Sequence, residues 1–207
     1  MEESATALLR RPADQRPLRV AIVIGSTRPG RKGDAVARWV YERACGHTEA
    51  ELEIVDLAQQ ELPMLDEPVP AIHGRYERAH TKAWARVIAS FDAYVFVTPE
   101  YNRSIPGALK NAIDFLYAEW NDKAAGFVSY GADAGGARAV EHLRLVMGEL
   151  RVADVRTHVA LSLVDDFGEY TTPAPRPHQE ERLAGLVKEL VAWARALRTV
   201  REPAGLR

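Results

Sequence analysis

The chain has 207 residues, 47% of them apolar and 27% charged, a composition that builds a core and is too apolar for a disordered segment. Its 27 basic and 29 acidic side chains leave a formal charge of −2, which gives no electrostatic footprint for nucleic acid. One cysteine, Cys45, excludes an intramolecular disulfide and any multi-cysteine metal cluster.

No apolar run approaches the ~20 residues of a membrane span. The start, MEESATALLRRPADQRPLR, carries no apolar segment of signal-peptide length. The expectation is a cytoplasmic protein with a flexible leader over 1–17, one domain over 18–161, and a linker and C-terminal helix over 162–207 that complete it. Leu18 to Ile24 is a short β-branched run closed by Gly25, the pattern of a strand buried on both faces. From Asp34 to Cys45 the period becomes helical, with Val36, Trp39, Val40 and Ala44 on one side and Gly46 ending it. Leu52–Leu57 reads as the second strand. A loop with Pro63, Pro68 and Pro70 leads to a helix from about Tyr76 to Ser90, with Trp84, Val87, Ile88 and Phe91 along one side.

Ala93–Val97 is the third strand. Ser104 is placed to cap the next helix, with Pro106 in its first turn and Leu109, Ile113 and Leu116 inward. Gly126–Tyr130 is the fourth strand, the helix after Gly136 buries Val140, Leu143 and Met147, and Val155–Leu161 is the fifth strand. The stretch TTPAPRP, residues 171–177, reads as a linker before a final helix carrying Leu183, Leu186, Leu190 and Ala194. Strands alternating with helices indicate an α/β fold with a parallel sheet covered on both faces, because parallel strands need crossovers. Ligands of such sheets bind outside the carboxyl ends of the strands. The loops after Ile24, Val97 and Tyr130 are therefore the places to seek function.

The first of these, Gly25-Ser26-Thr27-Arg28-Pro29-Gly30-Arg31-Lys32-Gly33, combines hydroxyls, glycines and cations at a helix N-terminus. That is a phosphate cradle, with Arg28 as a bidentate donor; the competing reading is a surface turn with solvated cations. It is no nucleotide P-loop, since Arg31-Lys32 stands where Lys-Ser/Thr is required, and G-x-G-x-x-G is missing. In the second loop Pro99 and Pro106 stiffen the path, Tyr101 offers a flat ring and Asn102 both donors and acceptors; the alternative is a rigid connector with Glu100 solvated. In the third, Gly131, Gly135 and Gly136 suggest backbone against a large flat ligand, or a plain strand-to-helix turn. Together the loops suit something flat and phosphorylated.

GSTRPGR, TPEYNRSIPGALKNAIDF and YGADAGG resemble the NADPH-dependent FMN reductase family of flavodoxin-like folds, over about Leu18 to Leu161. The PEYN-x-SIPG-x-LKNAIDF stretch is the specific part of that resemblance. It implies a three-layer sandwich whose five-stranded parallel sheet has the order 2-1-3-4-5, noncovalent FMN, and a homodimer or homotetramer. Carried over by position, Ser26 and Arg28 hold the FMN phosphate. Pro99, Glu100, Tyr101 and Asn102 line the ribityl chain and ring, largely through backbone, and Gly131, Gly135 and Gly136 border the ring. Many members have Ser and Asn where this chain has Arg31 and Gly33, so phosphate contacts there come from backbone N–H or from Arg31.

The resemblance implies hydride transfer from NADPH or NADH to the flavin, then two-electron transfer to a small acceptor: flavin, quinone, azo compound or metal ion. The cofactor carries that chemistry, so no catalytic side chain is assigned. Arg103, Arg31 and Lys32 are candidates for the 2′-phosphate of NADPH. The rivals are a non-enzymatic flavodoxin-type electron carrier, a class that tends to be strongly acidic, and a flavin-free interaction protein. No metal site is expected, since the histidines lack ligand spacing, and Cys45 is expected to pack. Trp84, Phe115, Tyr117 and Trp120 exceed what one sheet face needs, so helices Tyr76–Phe91 and Pro106–Glu119 are the expected dimer surface.

Overall fold

The β-branched run before Gly25 forms strand β1 (Arg19–Ile24) in the computed structural model, which describes residues 16–132 and 134–201. It is followed by α1 (Gly33–Ala44), β2 (Glu51–Asp56), α2 (Ala79–Ala89), β3 (Ala93–Pro99), α3 (Gly107–Asp114), β4 (Ala124–Gly131), α4 (Ala137–Glu149) and β5 (Ala153–Ser162). A short hairpin, β6 (Phe167–Gly168) and β7 (Thr172–Pro173), precedes α5 (Pro177–Arg201). The main sheet has the order β2-β1-β3-β4-β5 and every pairing in it is parallel.

Because successive strand side chains point to opposite faces, each inner strand feeds two cores. Val20, Ile22, Val95 and Val97 face α1 and α5, where Leu183, Leu186 and Leu190 join them. Ala21, Val23, Tyr94 and Phe96 face the helices α2, α3 and α4. Gly126 lets α5 approach β4, since a Cβ there would stand 2.8 Å from Leu186 Cδ2.

The aromatic residues expected at a dimer surface belong to the second core. Trp84, Phe115 and Trp120 are each no more than 1% exposed, and Trp120 packs edge-on against Tyr94 at 5.0 Å and Trp84 at 6.3 Å. Both indole N–H groups are satisfied internally, Trp84 donating to Ala112 O and Trp120 to Ile113 O. One chain thus consumes these rings in its own packing.

Four further expectations are corrected. Helix α2 begins at Ala79 rather than Tyr76, because the Glu67 carboxylate accepts from the N–H groups of Glu77 and Arg78 and holds that segment extended. Ser104 does not cap α3; it closes a turn with Tyr101, and α3 starts behind Pro106 without a side-chain cap. The 171–177 stretch is no plain linker: Thr172–Pro173 is β7, and Pro177 already belongs to α5. Buried Asp166 organises it by accepting from Ser162 N, Arg176 N and the Arg176 guanidinium. Cys45, expected to pack, is the exposed C-cap of α1. Of the leader, residues 1–15 lie outside the described residues, and Arg16 is bound to Asp92.

At the amino ends of the strands, Asp92 is 1% exposed and accepts from the guanidinium groups of Arg16, Arg198 and Arg201 and from Arg19 N. This carboxylate fastens the last turn of α5 to the start of the sheet. Beside it the Lys123 ammonium donates to Ile88 O and to the Tyr94 hydroxyl, each at 2.9 Å. Burial, with the nearby charge of Arg201, lowers its pKa from 10.5 to about 7. The unfolded chain therefore binds more protons between those values, so stability rises with pH across that window. Equilibrium unfolding should show this rise in the wild type and a smaller one in Lys123→Met. Asp92→Asn should cost about 3–5 kcal/mol, because it leaves buried arginines without their carboxylate.

Candidate functional site

The strand order reverses direction at β1, so the crevice between the carboxyl ends of β1 and β3 is a topological switch point. Ile24 pairs with Val97, and Gly25 N donates to Val97 O at 2.9 Å, which lays the first loop beside the second. Gly25 is needed there: a Cβ would lie 2.9 Å from Leu109 Cδ2 on α3. Two loops more than seventy residues apart in sequence then meet. The buried Ser26 hydroxyl lies 2.8 Å from the Tyr101 hydroxyl, and Arg28 Nε donates to that same phenol oxygen at 3.2 Å. The same loop leads into α1, whose first turn carries no side-chain cap and so leaves N–H groups and the positive end of the helix dipole without a side-chain partner.

The two less typical positions of this loop have other partners. Arg31 gives Nε to Asp34 at 2.7 Å and Nη2 to Asp56 at 2.6 Å, tying α1 to the end of β2. Gly33 packs under its neighbours, where a Cβ would meet Ile24 Cγ2 at 3.0 Å and the Tyr130 hydroxyl at 3.2 Å. Their residue types are thus accounted for by packing and by carboxylate partners.

The second loop is joined to the third. Pro99 ends β3, and Glu100 N donates to Tyr130 O at 3.2 Å. The Glu100 carboxylate is not solvated: it is 8% exposed and pairs with Arg138 in the first turn of α4. Its other oxygen is buried without a hydrogen-bond partner among the described residues. Asn102 is exposed at the tip of the Tyr101–Ser104 turn. In the third loop the glycines pack on protein: a Cβ on Gly136 would stand 2.8 Å from Ser129 Cβ, and one on Gly131 2.9 Å from Gly136 N. Gly135 likewise sits against Ala160, so tight folding of the loop explains all three glycines.

Two supports were not found by sequence reasoning. Ser129 Oγ donates to Gly135 O at 2.6 Å and so spends its one hydrogen; His158 Nε2, 2.8 Å away, is then the donor to Ser129. Burial, with the charges of Arg144 and Arg182, lowers the His158 pKa to about 4 and keeps this imidazole neutral. The available signal was Ser129 within the otherwise apolar core of β4 and His158 among the several polar residues of β5, with nothing to pair them. Asn111 is the second support: it donates to Pro63 O at 2.7 Å and accepts from Leu65 N at 2.9 Å. It thereby fixes the wall of a cleft of about 380 Å³ lined by Thr27, Leu57, Leu62, Met64 and Ala108.

The family model for NADPH-dependent FMN reductases matches residues 18–166. The chain belongs to the NADPH-dependent FMN reductase family. It is 43% identical over 150 residues to an NAD(P)H-dependent FMN reductase of Schizosaccharomyces pombe, covering 72% of this chain and 74% of the relative. It is 33% identical over 195 residues to a quinone reductase of Pseudomonas putida, covering 87% and 97%. Among solved structures, the NAD(P)H:(acceptor) oxidoreductase FerB of Paracoccus denitrificans superimposes with a TM-score of 0.65 at 23% identity, covering 86% of this chain and 98% of that one. The residues present fit the family's cofactor: a hydroxyl, a guanidinium and uncapped helix N–H groups are the donors a dianionic phosphate requires.

Since the unfolded chain binds a proton on His158 at 6.5 and the folded one only near 4, stability is lost as pH falls through that window. Denaturant unfolding at pH 7 and pH 5 should show the loss in the wild type and a smaller one in His158→Gln.

Proposed function

We propose that this family member is an NAD(P)H-dependent reductase that holds FMN across its three loops and passes two electrons to a small acceptor. A quinone or a flavin is the acceptor class that the names of its relatives favour. The observation that carries this reading is the meeting of Ser26, Arg28 and Tyr101 at the switch point. When bound, FMN supplies the redox chemistry, taking a hydride from NADPH or NADH and giving two electrons to the acceptor.

The chain's own part is binding and orientation. Ser26 and Arg28 grip the phosphate, and the Tyr101 hydroxyl, bonded to both, orients them. Pro99, Glu100, Tyr101 and Asn102 line the ribityl chain and one side of the ring, with Glu100 anchored by Arg138. Gly131, Gly135 and Gly136 form the facing wall, kept in shape by the Ser129–His158 pair. Arg31 and Gly33 act behind the phosphate by fixing α1. We assign the redox step to no side chain. The carrier alternative is disfavoured by reductase relatives and by a formal charge of only −2.

Among the described residues, no helix is long and apolar enough to cross a membrane. We further propose a homodimer. Its support is the exposed apolar side chains Met64, Leu65 and Ile72, on the segment between β2 and α2 beside the cleft. Light scattering should report twice the 23.0 kDa of one chain, and a value of one chain contradicts the dimer.

Anaerobic NADPH added to the FMN-loaded protein should bleach the flavin colour, and a quinone should restore it; an unchanged spectrum contradicts the reading. Arg28→Ala should weaken FMN binding about tenfold to a hundredfold, as expected when a charge-assisted contact to phosphate is removed. Fluorescence titration of the apoprotein measures it.

A further inference from the structure

Arg31, Lys32 and Arg103 are the cations that the sequence offers near the mouth of the crevice, and the structure separates them. Arg31 is spent on Asp34 and Asp56. Lys32 is the half-buried N-cap of α1. Arg103 is exposed and makes no ion pair among the described residues.

Its position is unusual for an arginine. Tyr101 N donates to Ser104 O at 2.9 Å and Ser104 N to Tyr101 O at 3.0 Å, so the turn is closed from both sides. The residues between them, Asn102 and Arg103, have φ of 49° and 69°, both left-handed, as a type I′ turn requires. Asparagine followed by glycine suits such a turn, whereas an arginine Cβ crowds the following carbonyl oxygen. The turn is also held at both ends. Tyr101 is bonded to Ser26 and Arg28 on the cradle side, and Ser104 Oγ lies 2.9 Å from His142 Nδ1 on α4. The nearest carboxylate of this loop, Glu100, is taken by Arg138 and does not neutralise Arg103. A rigid platform therefore carries an uncompensated guanidinium at the rim, in a backbone conformation that favours another residue.

We propose that Arg103 is the residue that selects NADPH over NADH, by donating to the 2′-phosphate of the adenosine ribose. The proposal rests on the NAD(P)H-dependent reading above. A planar, permanently charged fork suits a phosphate at an exposed rim, where it adds discrimination with little change in how the rest of the nucleotide binds.

Arg103→Gly is the discriminating variant, because glycine removes the cation and suits the turn. Calorimetry on the FMN-loaded protein with 2′,5′-ADP and 5′-AMP, thermal melting, and kcat/KM for both dinucleotides are the readouts. The wild type should bind 2′,5′-ADP more tightly than 5′-AMP. The variant should lose about tenfold or more of the 2′,5′-ADP affinity, keep that for 5′-AMP within about twofold, and melt no lower. Its NADPH-to-NADH ratio of kcat/KM should fall in step, and Arg103→Lys should recover part of it. Equal 2′,5′-ADP affinity in wild type and Arg103→Gly overturns the proposal. So does a variant that melts lower and loses both nucleotides alike, which marks a structural residue. A wild type that oxidises neither dinucleotide overturns the reductase reading itself. One that oxidises both equally leaves that reading standing and removes this assignment.

Discussion

The pairing of Ile24 with Val97, extended by the bond from Gly25 N to Val97 O, is the contact on which the rest of the site depends. Two parallel strands whose other neighbours lie on opposite sides must end in loops that diverge, leaving a crevice between them. The register decides which residues border it. A shift of one residue would turn the apolar sets of β1 to the wrong faces and carry Ser26 away from Tyr101.

The two ends of the sheet are built on different physics. At the amino ends a single buried carboxylate, Asp92, gathers several guanidinium groups and joins the start of the sheet to the last turn of α5. Buried charge of this kind costs desolvation, and it fixes geometry when every hydrogen bond is made. At the carboxyl ends the loops expose donors and keep their shape through short polar braces: Glu100 with Arg138, Ser129 with His158 and Gly135, Asn111 with the 63–65 backbone. A hollow of about 790 Å³ between Gly46–Glu49 and α5 lies away from these loops.

The strands were legible because parallel strands buried on both faces need β-branched runs, and Leu18–Ile24 and Ala93–Val97 are such runs. Their alternation with helical periods, together with the family motif, gave the layered sheet. Boundaries were less legible where a distant side chain decides them. Glu67 delays α2, Asp166 shapes the hairpin before α5, and Tyr101 diverts Ser104 from its cap. Trp84 on α2, and Phe115 and Trp120 after α3, misled for a related reason: periodicity shows that a ring faces inward but not how many rings stack behind it. At the site, Ser26, Arg28 and Tyr101 were nameable from the loops, whereas His158 was not, because its meaning depends on Ser129 one strand away. The glycines of the third loop are explained by their packing, since the close approach they permit is that of protein to protein.

On the proposed reading, the Ser26–Arg28–Tyr101 junction is an anion grip for the tail of a flavin nucleotide. Titrating the apoprotein with FMN and with riboflavin, which share the ring and ribityl chain and differ in the phosphate, tests it most directly. The account predicts FMN bound about a hundredfold or more tightly than riboflavin, since several charge-assisted bonds are at stake. Equal affinity for the two would contradict it.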